Sequence, residues 1–166
     1  MKKADVQALD MNAVRMIGDE WMLITARKGE TINTMTASWG GLGVLWGRPV
    51  ATVYIRPQRY TKEFVDAGDT FTLTFFGGEH KKEMGYLGKV SGRDGNKIAD
   101  SGLTLAEVGG VPTFAEAKLM LVCRKLYEDD IKPELFKDSE IDGKWYPDRD
   151  YHRMYIAEIT AAYVPE

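Results

Sequence analysis

Six short runs of β-branched and aromatic residues, several of them alternating with polar residues, recur along this chain of 166 residues. Runs of this kind, bounded by glycine, proline and small polar residues, are typical of β-strands. The predicted strands are "WMLITAR" from Trp21, "TINTMTASWG" from Thr31, "VATVYI" from Val50, "TFTLTFF" from Thr70, "AKLMLVCRKLY" from Ala117 and "YHRMYIAEITAAYV" from Tyr151. Because helical patterns separate only a few of these runs, their order favours a mainly antiparallel β-barrel over a doubly wound parallel sheet.

A few short helices are predicted around this sheet. Asn12 is a suitable cap for a helix over residues 12–18. The other helical segments are "RYTKEFVDAG", "EHKKEMGYLGKV" and "RDGNKIADSG". Residues 128–150, here called the 128–150 segment, are polar and rich in turn residues, yet they include Leu135, Phe136, Trp145 and Tyr146. We expect this segment to be an ordered excursion that packs its aromatic side chains, with a partner subunit as one candidate surface.

Composition limits the class of protein. A hydrophobic share of 44% and a charged share of 28% are ordinary for a soluble globular chain, and the length suits one domain over residues 1–166. No run approaches the roughly 18 apolar residues of a membrane helix, and the start "MKKADVQALD" lacks the apolar centre of a signal peptide. We therefore expect a cytoplasmic protein without a membrane partner. A net charge of −3 with scattered basic residues argues against nucleic acid and favours a small ligand.

Several well-known site motifs are incomplete in this chain. The glycines of "GGLGVLWG" do not have dinucleotide-binding spacing and are interpreted as turn or hinge residues, and "GYLGKVSG" does not have phosphate-loop spacing. The soft metal ligands are limited to His80, His152 and Cys123, none at metal-site spacing, so we predict no metal. Cys123 falls in an apolar strand and is interpreted as a core residue rather than a nucleophile.

The strand "TINTMTASWG" carries hydroxyl and amide side chains where a buried strand is usually aliphatic. These residues are Thr31, Asn33, Thr34, Thr36 and Ser38. Burying such groups costs stability unless they form hydrogen bonds. The strand therefore indicates either a polar binding surface or, taken alone, the ordinary preference of threonine for strands.

A turn with two arginines follows the next predicted strand. In "YIRPQRYTKEF", Arg56 and Arg59 flank Pro57, and a helix is predicted to begin beside Tyr60–Thr61. Guanidinium groups bind phosphate through two-point contacts, and a helix start adds backbone N–H groups and the positive end of its dipole. The turn is therefore a candidate anion site, although two solvated arginines are the alternative when it is considered alone.

Taken together, these features resemble the flavin reductase-like family of split-barrel FMN-binding proteins, and closely its flavoredoxin-like branch. The resemblance runs from about Trp21 to the C-terminus and is carried, in this order, by "NTMTASWG", "YIRPQRYTKEF", "GYLGKVSGRD" and "KWYPDRDYHRMYIAEI". It implies a homodimer in which each subunit is a six-stranded antiparallel split β-barrel with a few short peripheral helices. It also implies FMN near the subunit interface, with NADH or NADPH as the reductant.

The resemblance further implies roles for individual residues. The flavin ring and ribityl chain would lie against Thr34, Met35, Thr36, Ala37, Ser38 and Trp39. The phosphate would be held by Arg56, Arg59, Tyr60 and Thr61. Further candidates near the phosphate or ribityl chain are Lys89, Ser91 and Arg93. This assignment accounts for the hydroxyl strand, because the polar edge of a flavin needs backbone amides and small hydroxyls within reach.

His152 is the candidate catalytic residue. Many relatives carry Gly-Asp-His at the start of the last strand, whereas this chain reads "RDYHRM", in which the Asp is displaced by one residue and the Gly is absent. The imidazole could orient the nicotinamide or stabilise negative charge on reduced flavin. The alternative is a histidine that only forms a hydrogen bond at a strand edge.

Three functions remain open. The chain could be a reductase that moves hydride from a nicotinamide to flavin N5, an electron carrier that holds FMN between redox protein partners, or a flavin-binding protein without turnover. A homodimer whose second chain completes the FMN pocket is predicted from aromatic residues in or beside turns. These are Trp39, Trp46, Trp145, Tyr146 and Tyr151.

Overall fold

The computed structural model describes residues 1 to 166 and contains ten β-strands. The strands are β1 (Lys2–Ala4), β2 (Met22–Lys28), β3 (Thr31–Ala37), β4 (Gly40–Leu45), β5 (Arg48–Ile55), β6 (Thr70–Phe75), β7 (Leu105–Val108), β8 (Val111–Phe114), β9 (Leu119–Asp130) and β10 (Arg153–Val164). The α-helices are α1 (Tyr60–Ala67), α2 (Lys81–Lys89), α3 (Lys97–Asp100) and α4 (Glu140–Trp145). Short turns of other helix types span Val6–Ala8, Arg15–Asp19 and Pro133–Leu135.

The main sheet is antiparallel and follows the order β3-β2-β6-β9-β10-β5-β4, with β1 added beside β10. The pairing of β9 and β10 is interrupted by irregularities at Ile156/Ala157 and Ile159/Ala161. Such bulges bend a strand and increase its twist, so these two long strands can curve the sheet around a core. The mainly antiparallel barrel predicted from the sequence is confirmed, with eight strands in its sheet rather than six.

Part of the difference in strand count comes from the glycine-rich segment after β3. The prediction of turn or hinge glycines in "GGLGVLWG" is wrong for its first six residues, because Gly40–Leu45 pair with β5 as β4. A Cβ atom on Gly40 would lie 2.7 Å from the carbonyl oxygen of Thr52, so glycine permits this close approach. The turn itself is Trp46–Gly47, whose φ angles of 53° and 69° match a two-residue hairpin loop. The other strands absent from the prediction are β1 and the separate β7–β8 hairpin.

The main core lies between the curved sheet and α1. Phe64 of α1, Phe71 of β6 and Tyr155 of β10 belong to one core cluster, and all three side chains are almost completely buried. Cys123 lies in the same cluster, which confirms its prediction as a core residue. Burial raises the pKa of its thiol, so it is not a reactive thiolate.

The predicted helices are present with small changes in their bounds. The Asn12 side chain accepts a hydrogen bond from the N–H of Arg15, as expected of a cap, and α1, α2 and α3 fall inside the three predicted segments. Met84 and Leu87 of α2 belong to a second core cluster, which holds the end of α2 against β3. No helix combines the length and apolar character needed to span a membrane.

Candidate functional site

Two of the cavities along β3 adjoin each other and share Arg59. The wide cavity, of 230 Å³, is lined by Met35, Thr36, Ala37, Ser38, Trp39, Tyr54, Arg56, Arg59, Trp145 and His152. The small cavity, of 100 Å³, is lined by Asn33, Gln58, Arg59, Tyr60, Thr61, Gly88, Lys89, Val90, Ser91, Gly92 and Lys97. Within the sheet β3 pairs on one side only, with β2. Its other edge therefore leaves backbone N–H and C=O groups available to a ligand.

The polar side chains of β3 have several different partners. Thr36 donates a hydrogen bond of 2.5 Å to the carbonyl oxygen of Met84 in α2. Asn33 donates one of 2.9 Å to the Thr61 hydroxyl at the start of α1. Thr34 is fully buried, and its hydroxyl lies 2.8 Å from that of Thr25. Much of the hydroxyl content of this strand is therefore used inside the protein, and Thr34 lines neither cavity.

Arg59 and Lys97 bring two positive charges to the small cavity. Lys97 is 4% exposed, and its ammonium group donates hydrogen bonds to the carbonyl oxygens of Leu87 and Val90 at 2.8 and 3.0 Å. Arg59 donates to the carbonyl oxygen of Gly88 at 2.9 Å. Burial, with a contribution from the charge of Arg59, lowers the pKa of Lys97 to about 8. No Asp or Glu lines either cavity, so a bound anion would offset this concentration of positive charge.

The last turn of α2 and the turn that follows it approach β3 closely, and each has a glycine at the point of contact, Gly88 and Gly92. A Cβ atom on Gly88 would lie 3.2 Å from the Cβ of Thr36. A Cβ atom on Gly92 would lie 2.3 Å from Oδ1 of Asn33. At these two positions the turn over residues 88–92 therefore presents backbone rather than side chain to the small cavity, which suits the binding of a small anion.

Arg56 lines the wide cavity and not the small one. Its guanidinium forms an ion pair of 2.6 Å with Asp150 and donates a hydrogen bond of 2.8 Å to the carbonyl oxygen of Trp145. It also lies 5.0 Å from the centre of the Tyr146 ring. Gln58 donates to the second carboxylate oxygen of Asp150 at 2.6 Å. These contacts fix the end of the 128–150 segment beside the wide cavity.

The aromatic residues of the 128–150 segment pack mainly within this chain. Tyr146 is buried, with its ring centre 6.1 Å from that of Phe136 and 4.9 Å from that of Tyr151. Trp145 packs edge-on against Trp39, with ring centres 5.1 Å apart. The prediction of an ordered excursion is confirmed, and Phe136, Trp145 and Tyr146 each pack against an aromatic ring of this chain.

His152 is buried next to this aromatic group. The Tyr146 hydroxyl lies 2.8 Å from Nδ1 of His152, and the Trp39 ring centre lies 5.1 Å from the imidazole centre. Burial, and then the positive charge of Arg56, lower the pKa of His152 to about 4, against a smaller opposing effect of Asp150. The imidazole is therefore neutral at pH 7. When Tyr146 donates to Nδ1, the remaining Nε2–H is the donor on a ring that lines the wide cavity.

The structure brings the predicted site residues together along β3, with two exceptions. Thr34 lines neither cavity, and Arg93 also lines neither, because its guanidinium pairs with Glu63 and lies over the Tyr60 ring. Those in the wide cavity are Met35, Thr36, Ala37, Ser38, Trp39, Arg56, Arg59 and His152. Those in the small cavity are Arg59, Tyr60, Thr61, Lys89 and Ser91. The lining residues that were not predicted as site residues are Asn33, Tyr54, Gln58, Gly88, Val90, Gly92, Lys97 and Trp145. The glycine spacing in "GYLGKVSG" is a usable signal for the turn, and Trp145 lies in the motif "KWYPDRDYHRMYIAEI", whereas no local pattern marks Lys97.

Comparison with known proteins supports the family resemblance found in the sequence motifs. A high molecular weight rubredoxin from Moorella thermoacetica is 30% identical over 112 residues, which are 67% of this chain and 48% of that protein. The chain therefore spans about half the length of this curated relative.

Two solved structures share the fold. The FMN-binding domain of a flavin reductases-like enzyme from Shewanella baltica OS155 has a TM-score of 0.71 and 20% identity, covering 98% of this chain and 76% of that one. Flavoredoxin of Desulfovibrio vulgaris (Miyazaki F) has a TM-score of 0.68 and 20% identity, and the match covers 100% of this chain and 78% of that one. The family model described as "Flavin reductase like domain" matches residues 14–166. This match confirms the resemblance found in the motifs, and the chain belongs to the flavin reductase-like domain family.

Proposed function

We propose that the chain binds FMN along β3, with the flavin ring in the wide cavity and the phosphate in the small cavity. Membership of a flavin reductase-like family supports a flavin ligand. The two cavities adjoin at Arg59. A single ligand with a ring at one end and a phosphate at the other fits this arrangement.

The observation that carries the proposal is the concentration of cations at the small cavity, above all Arg59 and the buried Lys97, with no carboxylate in its lining. A phosphate would offset their charge and accept charge-assisted hydrogen bonds, which are about twice as strong as neutral ones. Gly92 leaves this wall free of a side chain. The remaining predicted phosphate-end residues in this lining are Tyr60, Thr61, Lys89 and Ser91.

At the ring end, the unpaired edge of β3 offers backbone donors and acceptors to the polar edge of a flavin. Ser38 and Trp39 would lie against the ring, and Nε2–H of His152 would donate to it or to the nicotinamide. Arg56, held by Asp150, would lie beside the ring rather than at the phosphate. Bound FMN would supply a two-electron acceptor, taking at N5 the hydride released from C4 of NADH or NADPH and leaving that nicotinamide oxidised.

The phosphate requirement provides the test. FMN and riboflavin are titrated by fluorescence quenching against the wild type, Arg59→Met and Lys97→Met, with exposed Arg124→Met on β9 as the matched control. We expect each cavity variant to weaken FMN binding by about ten- to a hundredfold, in line with ~1.5–3 kcal/mol for a hydrogen bond to a charged group, and to leave riboflavin binding nearly unchanged. Equal losses for both flavins, or no flavin binding by the wild type, would contradict the proposal.

As the leading function we infer an NAD(P)H-dependent flavin reductase. The competing function is an electron carrier, and the position of Trp145 beside the wide cavity favours it because this side chain restricts access. Anaerobic mixing with NADH and NADPH separates the two by the loss of flavin absorbance. Rapid bleaching supports the reductase, reduction by a protein donor alone supports the carrier, and no reduction by either supports binding without turnover.

We also infer a homodimer in which the second chain completes the flavin pocket. The wide cavity, at 230 Å³, is smaller than the ~300–1,000 Å³ typical of ligand pockets, so a neighbouring surface is needed to cover the ring. A separate exposed apolar patch is available for association. Trp46 and Tyr127 form this patch, with ring centres 6.5 Å apart and exposures of 58% and 44%. Exposed patches of this kind are typical of interfaces.

A further inference from the structure

We propose that Trp145 determines which reductants reach the flavin ring, and that Arg56 is a positioning residue that holds Trp145 in place. This inference rests on the proposed function. It concerns the end of the 128–150 segment, which contributes a single residue, Trp145, to the lining of the wide cavity.

Trp145 is placed to obstruct the wide cavity rather than to fill a core. It is 43% exposed, and its ring meets Trp39 edge-on at 5.1 Å. Trp39 in turn lies 5.1 Å from His152. The three rings form one continuous group beside the residues of β3 that would contact the flavin. A side chain with this much exposure can change its orientation without opening the core.

The position of Trp145 depends on its main chain, and Arg56 binds that main chain directly. One nitrogen of the Arg56 guanidinium donates to the carbonyl oxygen of Trp145 at 2.8 Å, and another pairs with Asp150 at 2.6 Å. Trp145 and Asp150 are the two ends of a short stretch of chain. Arg56 binds both ends and thereby connects this stretch to the end of β5. Gln58 strengthens the same connection through Asp150.

Hydride transfer requires the nicotinamide to stack on an open flavin face, with the reacting atoms roughly 3 to 3.5 Å apart. Trp145 lines the wide cavity and is 43% exposed, so a nicotinamide that stacks on a flavin in this cavity would have to pass its ring. A small inorganic reductant, or electron transfer through the flavin edge, has no such requirement. Trp145 therefore raises the KM for nicotinamides without preventing hydride transfer from them, and it leaves reduction of the flavin by other donors unaffected.

The first experiment needs no flavin. Acrylamide quenching of tryptophan fluorescence is measured for wild type, Arg56→Ala, Trp145→Ala and the double variant. The fluorescence of Trp145 is obtained by subtraction. The signal of Trp145→Ala is subtracted from that of wild type, and the signal of the double variant is subtracted from that of Arg56→Ala. Arg56→Ala should raise the quenching constant of that contribution at least twofold, and Arg124→Ala should leave it unchanged. Equal quenching in Arg56→Ala and wild type would overturn the positioning role.

The second experiment uses FMN-loaded protein under anaerobic conditions. Trp145→Ala should bleach with NADH or NADPH at least tenfold faster than wild type at subsaturating nicotinamide, through a lower KM, and Trp145→Phe should be intermediate. Reduction by dithionite should be equal in all variants, and Leu135→Ala, at an exposed position of the same segment, should match wild type. Arg56→Ala should increase the rate of bleaching by NADH or NADPH as Trp145→Ala does. The double variant should be no faster than Trp145→Ala alone.

These outcomes separate the inference from the function on which it rests. If wild type and variants all fail to bind a flavin, the proposed function is contradicted, and the inference is contradicted with it. If they bind FMN but wild type and Trp145→Ala are reduced by nicotinamide at equal rates, the inference alone is overturned.

Discussion

At the scale of single residues, His152 shows how burial sets a protonation state. Its imidazole contacts the Tyr146 hydroxyl and faces the positive charge of Arg56, and no acidic group lies in the cavity lining to stabilise an imidazolium. A neutral donor is suited to orienting a ligand, whereas a permanent cation would add to the charge already supplied by the arginines. This role requires that the pKa of His152 remain far below 7.

The pH dependence of stability tests that requirement. The pKa of His152 is about 4 in the fold and about 6.5 when unfolded, so the unfolded chain binds more protons between these values. The stabilisation from this residue is complete above about pH 6.5 and decreases as the pH falls towards 4. Urea unfolding at pH 7.5 and 5.0 should therefore show a larger loss of stability for wild type than for His152→Gln. An equal loss in both proteins would contradict the buried, neutral imidazole.

At the scale of elements, the packing of the turn after α2 on β3 sets the shape of the small cavity. Gly92 lies against Asn33, which cannot move freely because it is hydrogen-bonded to Thr61. Gly85, one helical turn before the end of α2, has no atom within 4 Å of the position a Cβ would take. The same substitution at these two glycines should therefore have opposite effects.

Gly92→Ala should lower the free energy of unfolding by about 1–3 kcal/mol, as for other overpacked sites, and should weaken FMN binding. Gly85→Ala should be neutral or stabilising by up to ~1 kcal/mol, since alanine is the better helix former. Urea denaturation of both variants measures the difference. A well-tolerated Gly92→Ala would show that the turn can move away from β3, contrary to the proposed rigid phosphate wall.

The elements differ in how far the sequence determines them. The runs that became β2, β3, β5, β6, β9 and β10 are predictable because alternation and β-branched residues report burial on a pleated surface. β4 was missed because Gly40, Gly41 and Gly43 have no intrinsic strand preference, and only the neighbouring β5 makes them a strand. Lys97 was missed because no pattern in its neighbours shows that its ammonium group binds the carbonyl oxygens of Leu87 and Val90, ten and seven residues earlier, beside Arg59. Contacts of this kind are set by tertiary packing rather than by any local pattern.

At the scale of the whole molecule, the exposed apolar patch on the β4–β5 hairpin and β9 is the proposed subunit contact. Trp46→Glu would place a charge in that contact. We expect it to convert a dimer to a monomer in sedimentation velocity and to weaken FMN binding, because by linkage FMN tightens the dimer as much as the dimer tightens FMN. Leu105→Glu, at an exposed position on β7, is the control and should remain a dimer. A wild-type monomer with full FMN affinity at every dilution would contradict the shared pocket.

The most direct test of the account is a crystal structure of the protein with FMN bound. It should show the phosphate within hydrogen-bonding distance of the Arg59 guanidinium and the turn over residues 88–92. The polar edge of the ring should lie along β3, close to Ser38 and Trp39. A flavin bound elsewhere, for example against Trp46 and Tyr127, or a phosphate directed away from Arg59 into solvent, would contradict the central claim.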